Sequence, residues 1–340
     1  MYKCIILLFA LCSNLYAIKP YTVIEGVNAC RFAIPYADET IEFIKVGTAT
    51  AKKPVLLFCQ GSLPIPLVIE FNDGARMITG ISNFNYELIA QRFHIIEVSP
   101  PFIPLIAKEQ DLNSQFAYIT DKTDNHSYPQ AYTDCNHLDY HTKRLNSVID
   151  YLLNQDWVDN EQIFVVGHSQ GARVATELAC SNKAINAIAL LSCNPMGRIT
   201  QSIQKCNVDY LKGKITADEK QNELNRIYAF YKSASDNIDE PSSGGGDSNK
   251  NIISYSTPLA NKLAELSIPV FIGYGTADPG TWYCDYLPLD FIAAGKENYI
   301  VKPYIGLNHN FMPIDQDGKV HYEECKWDDV MADAIEFITH

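Results

Sequence analysis

The strongest chemical signal in this sequence is Gly167-His168-Ser169-Gln170-Gly171. An apolar run, residues 163–166 (IFVV), leads into it and a helical pattern follows. A strand that turns at once into a helix forces the central residue into a strained backbone, and neighbours carrying a Cβ would clash. Gly167 and Gly171 remove two of those clashes. The Ser169 oxygen then stands clear at the carboxyl end of the strand, where a helix N-terminus favours developing negative charge. The chemistry this predicts is nucleophilic attack by a serine hydroxyl. Such a hydroxyl needs a base within hydrogen-bond reach, an acid to orient the base, and donors for an oxyanion.

Three further stretches follow apolar runs of strand length: residues 59–62 (CQGS), 275–280 (GTADPG) and 306–311 (GLNHNF). Together with GHSQG they resemble the α/β-hydrolase-fold serine hydrolases, over residues 40 to 340, in that fold's chain order of nucleophile, acid and histidine. GHSQG is specific; the other three gain weight from arriving in order. The resemblance implies Ser169 as nucleophile, Asp278 as the acid and His309 as general base. It also implies an oxyanion hole made by the backbone N–H groups of Gln170 and Ser62. Many relatives have His-Gly where this chain has Gln60-Gly61, which leaves open which N–H points inward. Asp285, seven residues beyond Asp278, is a rival for the acid.

The other histidines read differently. His168 is expected to pack or bond locally within the turn, and His94 falls inside a strand. His137 and His141 stand four apart on a helix, as a metal pair would, but no acidic or cysteine partner stands at ligand spacing. Burial of one of them explains that pattern, and no metal or organic cofactor is implied. Arg173 lies one turn beyond Ser169. A surface salt bridge is expected there, with binding of a substrate carboxylate as the alternative.

The elements that must position these residues alternate. Buried strands are expected at 55–59, 93–98, 163–166, 187–191, 268–275 and 298–305, and antiparallel strands at 31–35 and 40–46. Leu138, His141, Leu145, Val148, Ile149 and Leu152 recur at spacings of three and four, which predicts a helix from Asn136 to near Asn154. Val330, Ala334, Phe337 and Ile338 give the closing helix an apolar face. This pattern implies one α/β domain, 18–340, with a mostly parallel sheet covered on both faces. Residues 100–135 lack periodicity and are expected to form a long surface loop. Residues 198–255, with a capping box at Thr216 and Glu219 and a flexible linker at 242–247, read as an inserted cap or lid, or equally as a helix on the outer sheet face followed by a loose loop. Residues 100–105, together with Trp282 and Tyr283, are candidates to line a substrate pocket.

Composition narrows the function. The chain has 340 residues, is 47% hydrophobic and 20% charged, and carries a formal charge of −13. Nucleic acid and anionic lipid are therefore excluded as expected partners. Residues 1–17 have the basic start, short apolar run and small-residue end of a secretory signal peptide, with cleavage near Ala17 and no membrane span left in the mature chain. Lipidation at Cys12 is disfavoured, because Leu11 stands where a small residue would be expected. An exported protein with an even number of remaining cysteines permits disulfides. Cys30, Cys135, Cys206, Cys284 and Cys325 are the candidates, while Cys59, Cys180 and Cys193 read as core. The expected function is a secreted or periplasmic hydrolase cleaving a carboxylic ester of a small molecule or a glycan. A peptidase or amidase on the same site, or a non-catalytic glycan-binding protein on the same scaffold, are the alternatives.

Overall fold

Continuous apolar runs become the middle strands of the sheet. The computed structural model describes residues 21–242, 247–315 and 317–340. Residues 1–17 and most of the 242–247 linker lie outside them. The chain starts with β1 (Tyr21–Val23), β2 (Ala29–Tyr36), β3 (Glu39–Val46) and β4 (Lys53–Cys59). Two short strands, β5 (Val68–Glu70) and β6 (Arg76–Ile78), and helix α1 (Tyr86–Ala90) precede β7 (His94–Val98). After β8 (Ile106–Lys108) come α2 (Gln130–Cys135), α3 (Leu138–Leu152), β9 (Val158–His168), α4 (Gln170–Ser181) and β10 (Ile185–Leu191).

Helices α5 (Arg198–Leu211), α6 (Ala217–Asp236), α7 (Asn249–Ser254) and α8 (Ala260–Glu265) follow. The chain then returns through β11 (Val270–Gly275), α9 (Leu287–Ala293), β12 (Tyr299–Tyr304) and α10 (Trp327–Ile338).

The main sheet runs β1-β2-β3-β7-β4-β9-β10-β11-β12. From β7 to β12 every neighbouring pair is parallel, while β1, β2 and β3 form an antiparallel edge. Alternate residues of each middle strand enter opposite cores, as a doubly covered sheet requires. Leu57 and Val165 pack with Val148, Ile149 and Leu152 of α3 and Leu178 of α4. Leu56 and Val166 pack with Val330, Ala334 and Ile338 of α10.

Residues 100–135 are not the uninterrupted loop expected: β8 joins β5 and β6 in a small second sheet, and α2 closes the segment. A three-residue strand is too short to leave a periodic signature. Between β10 and β11 the Thr216 capping box forms, its hydroxyl accepting from Glu219 N and the Glu219 carboxylate from Thr216 N. The eight described cysteines are all free thiols, which corrects the disulfide expectation. Cys30, Cys206 and Cys284 are buried, the Cys284 thiol donating to the Cys193 carbonyl at 3.2 Å. Cys180, read as core, is exposed. Among the described residues no helix is long and apolar enough to cross a membrane.

Candidate active site

Because the middle strands are parallel and in register, the chain leaves them along one edge of the sheet. Gly61 and Ser62 follow β4, Ser169 follows β9, Ser192 follows β10, Asp278 follows β11 and His309 follows β12. Ser169 adopts φ 55° and ψ −118°, a region closed to most side chains, and its N–H donates to the Leu191 carbonyl at 2.9 Å. The strain persists because its surroundings admit no alternative. A Cβ on Gly167 would overlap the Gly171 carbonyl, and one on Gly171 would overlap the Cys59 carbonyl. Gly275 plays the same part for the histidine loop, since a Cβ there would strike the Leu307 and Asn308 carbonyls.

Asp278 is buried and its carboxylate is fully used. Oδ1 accepts from Gly280 N at 2.9 Å, and Oδ2 lies 2.5 Å from His309 Nδ1. That contact fixes Nδ1 as the protonated nitrogen and leaves Nε2 free to take a proton. Ser169 and His309 line one cavity of about 680 Å³, and no hydrogen bond joins them among the described residues. Such bonds are often formed only once substrate is bound. The rival acid, Asp285, accepts a hydrogen bond from the Tyr274 hydroxyl beside a separate cavity.

Ser62 and Gln170 line the Ser169 cavity as well. Gln170 opens α4, so its N–H is among the first-turn donors that a helix leaves without an internal partner. Gly61 lies against Ser169: a Cβ added to it would sit 3.8 Å from the Ser169 Cβ. The loop is pinned from outside. Tyr132 on α2 donates its hydroxyl to the Ser62 carbonyl at 2.7 Å, and Tyr118 N donates to the Pro64 carbonyl at 2.9 Å. The Gln170 side chain donates to Asn136 Oδ1 at 3.0 Å, which also bonds the His141 ring at 3.0 Å.

Sequence reasoning missed the supports of His309. Its backbone carbonyl accepts from Ser192 Oγ at 2.7 Å and from His168 Nε2 at 3.0 Å. A carbonyl only accepts, so His168 carries its proton on Nε2. Burial, and then the nearby His309, hold the His168 pKa down at about 3, so the ring beside His309 stays neutral. Trp327 packs edge-on against the His168 ring, 4.9 Å between centroids. The two-residue contact of Ser192 and His168 with residue 309 spans more than a hundred positions, and no local pattern encodes it.

His137 and His141 each have a protein partner. His137 caps α3 through Nδ1, accepting from Tyr140 N at 3.3 Å, and His141 is tied to Asn136 with burial lowering its pKa to about 3. The expected pocket lining is corrected too. Trp282 and Tyr283 line the cavity beside Asp285, and residues 100–105 are absent from the lining of the Ser169 cavity. Its walls come instead from Gln115, His126 and Tyr128 of the 100–135 segment and from Arg198, Gln201 and Tyr255. Arg173, expected on the surface in a salt bridge, is 4% exposed and pairs with no acid among the described residues.

Residues 120–310 match the alpha/beta hydrolase fold family. No protein of curated function matches the sequence. Among solved structures, an alpha/beta hydrolase from Penicillium is similar, with a TM-score of 0.50 and 14% identity over 91% of this chain and 97% of that one. A Bacteroides ovatus protein solved under the name of a dipeptidyl aminopeptidase IV has a TM-score of 0.54 and 12% identity. The match covers 90% of this chain and 35% of that one. Pyrococcus horikoshii acylaminoacyl peptidase has a TM-score of 0.49 and 14% identity, over 86% of this chain and 38% of that one. The chain thus spans little more than a third of those two peptidases, and at these identities the likeness is one of fold. The sequence match, the parallel sheet and the turn at Ser169 agree: this chain belongs to the alpha/beta hydrolase fold family.

Proposed function

We propose that the protein is a serine hydrolase that cleaves carboxylic esters through an acyl-enzyme on Ser169. The observation that carries this reading is the 2.5 Å contact of His309 Nδ1 with Asp278 in the cavity that also holds Ser169 at φ 55°. Ser169 Oγ attacks the ester carbonyl and its proton passes to His309 Nε2. Asp278 holds the imidazolium by charge and by the bond to Nδ1. The backbone N–H groups of Gln170 and Ser62 stabilise the oxyanion. Collapse breaks the bond to the alkoxide, which leaves with the proton from Nε2. Water then attacks the acyl-enzyme, giving up its proton to His309, and Ser169 leaves with that proton as the acid is released.

Fluorophosphonate labelling tests the nucleophile. Wild type should label and Ser169→Ala should not, with a native circular dichroism spectrum in both. A wild type that stays unlabelled, or a variant that labels equally, sinks the assignment. Export rests on the character of residues 1–17, and a mature protein in the culture medium or periplasm beginning at Ile18 would bear it out.

A further inference from the structure

The Ser169 cavity has a cationic corner with which no carboxylate pairs among the described residues. Arg173 lines this cavity and is 4% exposed. Its Nη1 donates to the Asn194 carbonyl at 2.7 Å and its Nη2 to the Thr257 carbonyl. Its Nε is buried without a partner. Among the described residues no carboxylate pairs with it, and Glu177, one turn further along α4, is taken by Lys262. Tyr255 lines the same cavity, is 1% exposed, and its hydroxyl also has no partner. Two buried side chains on one cavity wall therefore hold unpartnered donor atoms, themselves closed to solvent, and one of the two side chains is charged.

Other buried cations show how the chain meets such a charge elsewhere. Arg144 is paired with Glu39, Nε to Oε1 at 2.5 Å. Lys45 is held by the Gly47 and Ala49 carbonyls at 2.9 Å each, and burial pulls its pKa down. An amine can release its proton, whereas a guanidinium stays charged at neutral pH. Carbonyl dipoles satisfy donors without cancelling charge, and an unpaired buried charge is costly. Arg198, further along the wall, is already neutralised by Asp247 at 2.8 Å.

Resting on the hydrolase reading, we propose that Arg173 and Tyr255 bind a carboxylate of the substrate, so that the site prefers acyl groups bearing one. Ser169 precedes α4 and Arg173 lies in its first turn, and both line the same cavity, so a carboxylate held by Arg173 shares that cavity with the carbonyl attacked by Ser169. Hemi-esters of short dicarboxylic acids fit this description. One uncompensated positive charge suits a carboxylate monoanion better than a phosphate dianion, and the planar guanidinium matches its geometry.

The test compares 4-nitrophenyl hemisuccinate with 4-nitrophenyl butyrate, acyl groups of equal carbon count that differ in charge. Wild type should favour the hemisuccinate in kcat/KM by about 10- to 100-fold, the range of a charged hydrogen bond. Arg173→Met should bring the ratio to about one, and Arg173→Lys should keep part of it. A wild type that hydrolyses the butyrate as well as the hemisuccinate overturns the inference. Because Arg173 also ties Asn194 and Thr257 to α4, inhibition of wild type gives a reading free of the variant. Succinamate should compete at a concentration at least ~10-fold below butyramide and below inorganic phosphate. Phosphate competing as well as succinamate overturns the carboxylate assignment. Fluorophosphonate labelling without any charge preference overturns this inference alone. No labelling and no hydrolysis of either ester overturns the hydrolase reading and this inference with it.

Discussion

Two buried arginines on neighbouring helices meet opposite fates. Arg144, on α3, is closed off by its own chain: Glu39 takes Nε at 2.5 Å, the Ser99 carbonyl takes Nη1 at 2.6 Å, and Tyr140 completes the Glu39 carboxylate at 2.8 Å. Arg173, on α4, has carbonyl partners for two nitrogens and none for the third, and it borders the Ser169 cavity. A cluster that satisfies itself joins α3 to the edge of β3 and serves folding. A cluster left open beside a cavity has capacity for a ligand. Buried polar groups with complete partner sets rigidify a structure, and incomplete ones mark where something else is expected to bind.

This contrast predicts that substitutions at the cavity cost turnover and substitutions in the closed cluster cost stability. The largest effect should come from His309→Ala, which we expect to lower ester turnover at least ~10³-fold while the thermal midpoint stays near that of wild type. A modest loss, or one matched by His141→Ala, would break the contrast, since His141 lies outside the cavity lining. Next comes Arg144→Met, which strands the Glu39 carboxylate. It should lose about 3–5 kcal/mol of unfolding free energy, read from denaturant midpoints, with kcat/KM of the remaining folded protein unchanged. A stable variant with impaired turnover would place Arg144 with the cavity instead.

The last effect concerns a third kind of group. Glu97 on β7 is fully buried, both its oxygens lack partners among the described residues, and burial raises its pKa to about 8. It borders none of the cavities described above, and unlike Arg173 it can shed its charge by keeping a proton. The folded state holds that proton over a range where the unfolded chain, near 4.5, has lost it. Stability should therefore be fullest below the unfolded value and decline as pH rises toward about 8, by up to about 1.4 kcal/mol per pH unit. Glu97→Gln should flatten that decline, measured as unfolding midpoints from pH 5 to 9. An unchanged slope would mean that Glu97 is partnered in solution.

Much of the frame was legible because its causes are local. Residues 163–166 and 55–59 announce buried strands by continuous apolarity, and the glycines around Ser169 announce a turn that only they permit. The order of Ser62, Ser169, Asp278 and His309 along the chain maps onto strand ends because parallel strands in register deliver their ends to one edge. The short elements β5, β6 and β8 carry too few residues to show a period. The number of cysteines says nothing of their arrangement in space, and the structure leaves all eight described cysteines as free thiols.

By itself, then, the sequence determined the sheet, the strained serine turn and the chain order of the groups around it, all consequences of backbone sterics and apolar periodicity. Only the tertiary structure decided which partners those groups have. It tied Asp285 to Tyr274 and left Asp278 for His309, and it put His168 and Ser192 under the His309 carbonyl. It also buried one arginine with an acid and the other without. Pairing and desolvation depend on what is brought close from distant parts of the chain, and spacing along the sequence holds no record of that.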